Sequence, residues 1–337
     1  MKTKLKHLRV AAALTQAKLA AAVGVTQPNY HRWEAGSAPI PEEQLKKLAK
    51  ALNTTPEAIL GRHPPIEAAF YDRKAPENLQ YYGEVAIHFS GGGEPLLLSI
   101  SEAAYGRLYR NLQGNRKFVI VESLANQTVA VRTKAISDLY FSSEAYDDFG
   151  PEHDTYDGVS LQLPDARDWE IVSCLALESE ELEEFDPATI ERIRKAIMIT
   201  DEQYRELVAD GLIRVEDLEA ERAKNDAETR RIFDLATQTT YQLSTGKKRK
   251  VDIYDPTVVF EAFWELVDFD GDQDDGMIRV PAEGYHRTIF INKDALDYVS
   301  IPTHQYEEGS VDAAAEAIDV ADSFTQKKPK RKSSRTQ

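Results

Sequence analysis

Threonine and glycine punctuate residues 1–62 so closely that only short helices fit between them. Thr15 can cap a helix that starts at Gln16 and runs to Val23, and Gly24 stops it, because glycine readily takes the positive φ needed just past a helix end. Thr26 can cap the next helix, where Pro28 fits because it lies in the first turn. Before these, Leu5, Leu8 and Ala12 recur at helical spacing and predict a helix from about Lys2 to Ala13. After them, Gly36 ends the third pattern and Pro41 opens a fourth, with Glu42 and Glu43 at its positive end and Leu45, Leu48, Ala49 and Leu52 as its buried stripe. Thr55 and Pro56 start a short fifth helix ending near Leu60-Gly61. Leu19, Ala20 and Val23 face inward, as do Tyr30 and Trp33, whose spacing marks them as core and not as stacking platforms. Gln27, His31 and Arg32 are left on the outside.

The run Leu14-Thr15-Gln16-Ala17-Lys18-Leu19-Ala20-Ala21-Ala22-Val23-Gly24-Val25-Thr26-Gln27 resembles the XRE-type, lambda-repressor-like helix-turn-helix family. The resemblance continues through Tyr30, Arg32-Trp33-Glu34, Gly36 and the helix from Pro41 to Leu52, and covers residues 3–61. It departs from the family at Pro28, where a small polar residue is usual. The resemblance implies a five-helix domain whose third helix enters the major groove, which admits one α-helix and shows a distinct donor and acceptor pattern for each base pair. It implies Gln27, His31 and Arg32 as base or groove contacts and Gln16 as a phosphate contact, with Thr26 and Ser37 as further phosphate candidates. Lys2, Lys4, Lys6 and Lys18 would add sequence-independent, salt-sensitive attraction.

A formal net charge of -16 argues at first against a nucleic-acid partner, but its distribution reverses the argument. Residues 1–62 hold ten Lys and Arg against four Asp and Glu; residues 327–337 hold six basic residues and no acid; residues 63–326 hold 25 basic and 53 acidic residues. A basic head on an acidic body suits a protein that meets phosphate with one end. Lys327 to Lys332 read as a disordered basic tail adding non-specific phosphate attraction.

Arg62-His63-Pro64-Pro65 breaks the helical pattern and opens an expected linker over 63–78. From Leu79 onward, alternation through Val85, Ile87 and Phe89 and through Leu96, Leu98 and Ile100, around Ser90-Gly91-Gly92-Gly93, predicts a hairpin. A helix with Tyr105, Leu108 and Leu112 follows, then strands at Phe118–Val121, Thr128–Thr133 and through Ile136, Leu139 and Phe141. The series returns late in the chain: a turn at Ser244-Thr245-Gly246, a helix with Phe260, Phe263 and Trp264, and strands at Met277–Val280, Thr288–Ile291 and Leu296–Ile301. Residues 128–148 align with 288–308 without a gap, Thr128 with Thr288, Ala135 with Ala295 and Tyr146 with Tyr306. The expected fold is therefore multidomain: an all-α five-helix head over 1–62, then an α+β region with a duplicated β-β-α-β-β-β unit, its copies at 79–150 and 239–310. A connecting region over 151–238 is expected to hold a strand at Trp169–Leu177 and a helical insert, including a charged, solvated helix over Leu218–Leu235. Residues 311–337 are expected to be a tail, disordered from 325.

Catalytic signatures are absent. No self-cleaving serine–lysine segment is visible, Ser99, Ser101 and Ser123 lack a base, and no His-Glu-x-x-His string occurs. The glycine run at 90–93 sits between strands, not before a helix, and reads as a turn instead of a phosphate cradle. Asp268, Asp270, Asp272 and Asp274 fail the calcium-loop pattern, since the sixth and twelfth positions counted from Asp270 are Asp275 and Pro281. His153, His286 and His304 are scattered. No catalytic residue, metal or cofactor is expected. Cys174, the one cysteine, rules out an intrachain disulfide and suits a reducing cytoplasm. No apolar run is long enough for a membrane span, and no signal peptide is read. The expected protein is a cytoplasmic, sequence-specific transcriptional regulator, a homodimer bound to double-stranded DNA. The alternative is an antitoxin or defence-system adaptor whose acidic body binds a protein partner.

Overall fold

The computed structural model describes residues 3–143, 161–269, 276–281 and 287–326. They divide into two compact units, Met1–Pro64 with Glu308–Gln337, and Pro65–Glu307.

The first unit opens with five helices: α1 (Leu5–Ala11), α2 (Gln16–Val23), α3 (Gln27–Glu34), α4 (Glu42–Ala51) and α5 (Pro56–Ile59). The local chemistry explains the boundaries. Thr15 accepts a hydrogen bond from the Lys18 amide, and Gly24 closes α2 in the left-handed conformation at φ 74°. Thr55 likewise caps α5 by accepting from the Ala58 amide. α1 is shorter than its periodicity suggested, because Ala12 turns out of the helix and Ala13 takes a positive φ of 52°. Leu5, Leu19, Val23, Tyr30, Trp33, Leu45, Leu48 and Ile59 form one core.

The second unit contains two series of the same order. The first is β1 (Tyr81–Phe89), β2 (Leu96–Ser101), α6 (Glu102–Leu112), β3 (Phe118–Ser123), β4 (Gln127–Arg132) and β5 (Ile136–Ser142). Four helices follow: α7 (Ala166–Ala176), α8 (Pro187–Ile197), α9 (Asp201–Ala209) and α10 (Leu218–Thr237). The second series is β6 (Gln238–Leu243), β7 (Lys248–Asp252), α11 (Pro256–Val267), β8 (Met277–Pro281), β9 (Thr288–Asn292) and β10 (Leu296–Pro302). In each copy a single 3-10 turn joins the last two strands, at Thr133–Ala135 and Lys293–Ala295, so the ungapped alignment read from sequence matches the backbone.

The copies differ in one pairing. The first forms a continuous run β5-β1-β2-β3-β4, although β2 and β3 share only the pair Ile100↔Ser123. In the second the corresponding seam is open, leaving β10-β6-β7 and a separate β8-β9 ribbon. The two halves fuse through β4 and β10, antiparallel from Tyr298↔Val131 to Pro302↔Gln127, into an eight-stranded sheet. The α6 residues Ala104 and Leu108 pack on the first half; Val259, Phe263 and Leu266 of α11 pack on the second. The two glycine turns are hairpin tips, and they meet. A Cβ at Gly91 would fall inside the van der Waals envelope of the Ser244 carbonyl.

Three expectations need correction. Trp169–Leu177 is not a strand: Asp165 accepts from the Arg167 amide and starts α7, whose Trp169, Ile171, Val172 and Cys174 are buried. A short apolar run does not by itself distinguish a strand from a buried helix. Within the expected linker, Ala69 exchanges backbone bonds with Leu79 and Tyr81, so this stretch is bridged to the start of β1. Finally, the segment expected as a tail from 311 is mostly helix, α12 (Thr303–Gln326). His153, His286, Asp270, Asp272, Asp274 and the basic stretch 327–337 lie outside the described residues. His304 is buried against Asn126, and Asp268 accepts a bond of 2.7 Å from the Tyr306 hydroxyl.

Because the backbones at Gly91 and Ser244 are already in contact, Gly91→Ala overpacks the junction of the two hairpins. The expected cost is about 1–3 kcal/mol, visible as a lower thermal midpoint. An unchanged midpoint would mean that the hairpin tips separate freely.

Candidate nucleic-acid interface

The helix-turn-helix core is organised around a buried ion pair. Arg9 on α1 is 1% exposed and meets Glu34 at the end of α3 in bidentate fashion, Nε to Oε2 at 2.8 Å and Nη2 to Oε1 at 2.9 Å. Its Nη1 donates to the Leu14 carbonyl at 2.9 Å. Glu34 also accepts from the Tyr30 hydroxyl at 2.7 Å and from Gln16 Nε2 at 2.9 Å. Burial alone would raise the Glu34 carboxyl, but these donors outweigh it and hold it below its ordinary value. The Tyr30 phenol moves upward, through burial first and the neighbouring Glu34 charge second. Thus α1, the start of α2 and the end of α3 are tied at one point, and the angle between α2 and α3 is set there.

This geometry places the sequence-nominated residues as follows. Tyr30 and Trp33 are buried; Gln27, His31 and Arg32 of the same helix are exposed. Arg32 is steadied by Asn29, one turn earlier, whose Oδ1 accepts from its guanidinium. The exposed Thr26 sits at the N-cap of α3 without making a side-chain capping bond. The exposed Ser37 follows α3, its Oγ donating to the Arg32 carbonyl at 3.2 Å. These five residues belong to α3 and its flanks.

Gln16, Lys18 and Lys6 are differently engaged. The Gln16 side chain reaches inward to Glu34, while its backbone N–H donates to Asp319 Oδ1 at 3.3 Å. Lys18 Nζ lies 2.7 Å from Asp322, and Lys6 pairs with Asp312 and Glu308. Burial alone would lower the Lys6 ammonium, but those two carboxylates outweigh it and raise it above its ordinary value. Sequence reasoning missed Arg9 as the partner of Glu34, and it missed the acids of α12. Both pairings link residues remote along the chain, and no local period marks them.

Residues 5–59 match the helix-turn-helix family. No curated protein and no solved structure matches the chain. The N-terminal region is thus a helix-turn-helix domain with DNA-binding capability. Among the described residues, no group of His, Cys, Asp or Glu is arranged to hold a metal ion, and no helix is long and apolar enough to cross a membrane.

Removing Glu34 leaves the buried Arg9 guanidinium without its bidentate partner, with only the more distant Asp319 carboxylate at 4.0 Å, so Glu34→Ala should cost about 3–5 kcal/mol in the head. The pH dependence follows from the depressed carboxyl. Its stabilisation is complete above the ordinary value of 4.5 and is lost as pH falls through the lower folded value. The protection factors of the Leu19 and Tyr30 amides, exchange rates corrected for the intrinsic pH dependence, should therefore fall on acidification in the native chain. A Glu34→Gln chain whose protection factors show the same acid dependence would contradict this assignment.

Proposed function

We propose that the chain is a sequence-specific transcriptional regulator of the XRE type. Its α3 would enter the major groove, and its acidic α+β body would mediate dimerisation or partner binding in the cytoplasm. The observation that carries this reading is the division of α3. Tyr30 and Trp33 anchor the helix, and Gln27, His31 and Arg32 are left exposed. Gln pairs in bidentate fashion with adenine and Arg with guanine, each such pair worth roughly 1–3 kcal/mol of discrimination.

Thr26, Ser37, the Gln16 amide and Lys18 are assigned to the phosphate backbone on either side of α3. Such contacts set register and orientation without reading sequence. One head offers few contacts. Two heads on half-sites about 34 Å apart, one helical turn, would multiply affinity and select a two-fold-related site.

The experiment is in vitro selection of duplex sequences by the full chain, followed by titration of the selected duplex and of a scrambled one. Arg32→Ala should weaken the selected duplex by about tenfold or more, the equivalent of one lost bidentate pair. It should bind the scrambled duplex nearly as before. Unchanged selectivity would remove Arg32 from base reading; no duplex binding at low salt by the native chain would overturn the regulator reading itself.

A further inference from the structure

Helix α12 carries six acids between Thr303 and Gln326 and no lysine or arginine. Four of them, Glu308, Asp312, Asp319 and Asp322, lie at helical spacing on one stripe with the buried Ala315 between them. That stripe faces the helix-turn-helix within the first unit. Glu308 lies 3.4 Å from Lys6 Nζ and 3.1 Å from His7 Nε2. Asp312 pairs with the same Lys6. Asp319 accepts the Gln16 backbone N–H and places its other oxygen 4.0 Å from Arg9 Nη1. Asp322 pairs with Lys18 at 2.7 Å. Glu316, off the stripe, is exposed.

The surface so covered has a definite chemistry. Lys18 lies in the first turn of α2, whose macrodipole favours negative charge at its N-terminus, and Lys6 and His7 of α1 extend the basic row along the same stripe of α12. Thr15 satisfies the Lys18 amide, leaving the first amide of the helix, that of Gln16, to point outward. A helix N-terminal N–H that no group of its own helix satisfies, with a lysine in the same turn, offers a phosphate the donors it now offers Asp319. Each oxygen of a carboxylate accepts the same bonds from the same donors as a phosphodiester oxygen. Among the described residues, the exposed Gln27, His31 and Arg32 form no hydrogen bond or ion pair with the stripe, so the overlap concerns the backbone-binding surface.

We propose that α12 and the DNA backbone are alternative occupants of this one surface, the carboxylates of Glu308, Asp312, Asp319 and Asp322 standing where phosphates bind. This rests on the DNA-binding reading above and adds its regulation. With α12 seated, α3 can present its side chains to bases, but the head lacks its backbone grip. With α12 displaced, Lys6, Lys18 and the Gln16 amide receive phosphate. Partly exposed ion pairs are individually weak, so a polyanion of higher charge density can displace them. Any partner that holds α12 away from the head would raise affinity for DNA of every sequence.

The test uses the full chain. The variant Glu308→Gln/Asp312→Asn/Asp319→Asn/Asp322→Asn is titrated at fixed low salt with a labelled duplex of arbitrary sequence. A control carries the same charge change elsewhere, Glu181→Gln/Glu183→Gln/Glu202→Gln/Glu206→Gln, all exposed residues of the second unit. Apparent affinity falls in proportion to the open fraction, so relieving a mostly closed head should tighten binding about tenfold over the control. The gain should be equal for selected and arbitrary duplexes.

Equal affinity of variant and control overturns the proposal while leaving the DNA-binding reading intact. No binding by any of the chains overturns both. A measurement on the unaltered chain guards against misfolding of the variant: amide exchange over 308–322 should accelerate when saturating duplex is added. Protection that is unchanged or increased in the complex overturns the competition.

Discussion

The bidentate contact between Arg9 and Glu34 is the constraint on which the head's geometry rests. A buried guanidinium and a buried carboxylate each carry a large desolvation cost, and the pair is tolerable only when their hydrogen-bonding capacity is met. Here it is met by Leu14, Gln16 and Tyr30, which lie on three successive pieces of the fold. The same residues therefore decide two things. They hold Tyr30 inward, so that the other side of α3 faces solvent. They also pull the Gln16 side chain inward, so that only its backbone N–H is offered outward at the start of α2. The outer surface of the head is a by-product of how its interior charge is neutralised.

The second unit solves a different problem. A sheet with unpaired edges invites association, and the duplicated module removes two edges by joining β4 to β10. The joint is deep: all seven residues of β10 are buried. The copies are not equivalent: the seam that is a single residue pair in the first is open in the second. The hairpin tips carrying Gly91 and Ser244 touch only because one of them has no side chain at the contact.

Much of this was legible in the sequence where the signal is local. The caps Thr15 and Gly24, the first-turn Pro28 and the 3.6-residue period of Tyr30 and Trp33 together define α2 and α3. The duplicated module was legible from the recurrence of alternating strands around a helix, although few identities survive. Two elements were misread. In α7, Trp169, Ile171, Val172 and Cys174 are buried, and Glu170 and Ser173 interrupt them at near-alternate positions, a pattern that a strand shares. In α12, alanines and acids give a weak apolar stripe, and the groups that answer its charges, Lys6, His7 and Lys18, lie about three hundred residues away. Charge complementarity over that separation leaves no trace in a local window. The outward placement of Gln27, His31 and Arg32 follows from helical period; which bases they would meet depends on the partner's chemistry and not on this chain alone.

The origin of α12 has a temporal consequence. A chain is made from its amino end at about 5–20 residues per second, and the head is complete some 250 residues before the acids that cover it. A newly made head therefore passes an interval of tens of seconds with Lys6, Lys18 and the leading amide of α2 bare. On the competition proposed above, polyanions near the site of synthesis would meet it in that state first, and α12 would arrive as a latecomer that must evict them.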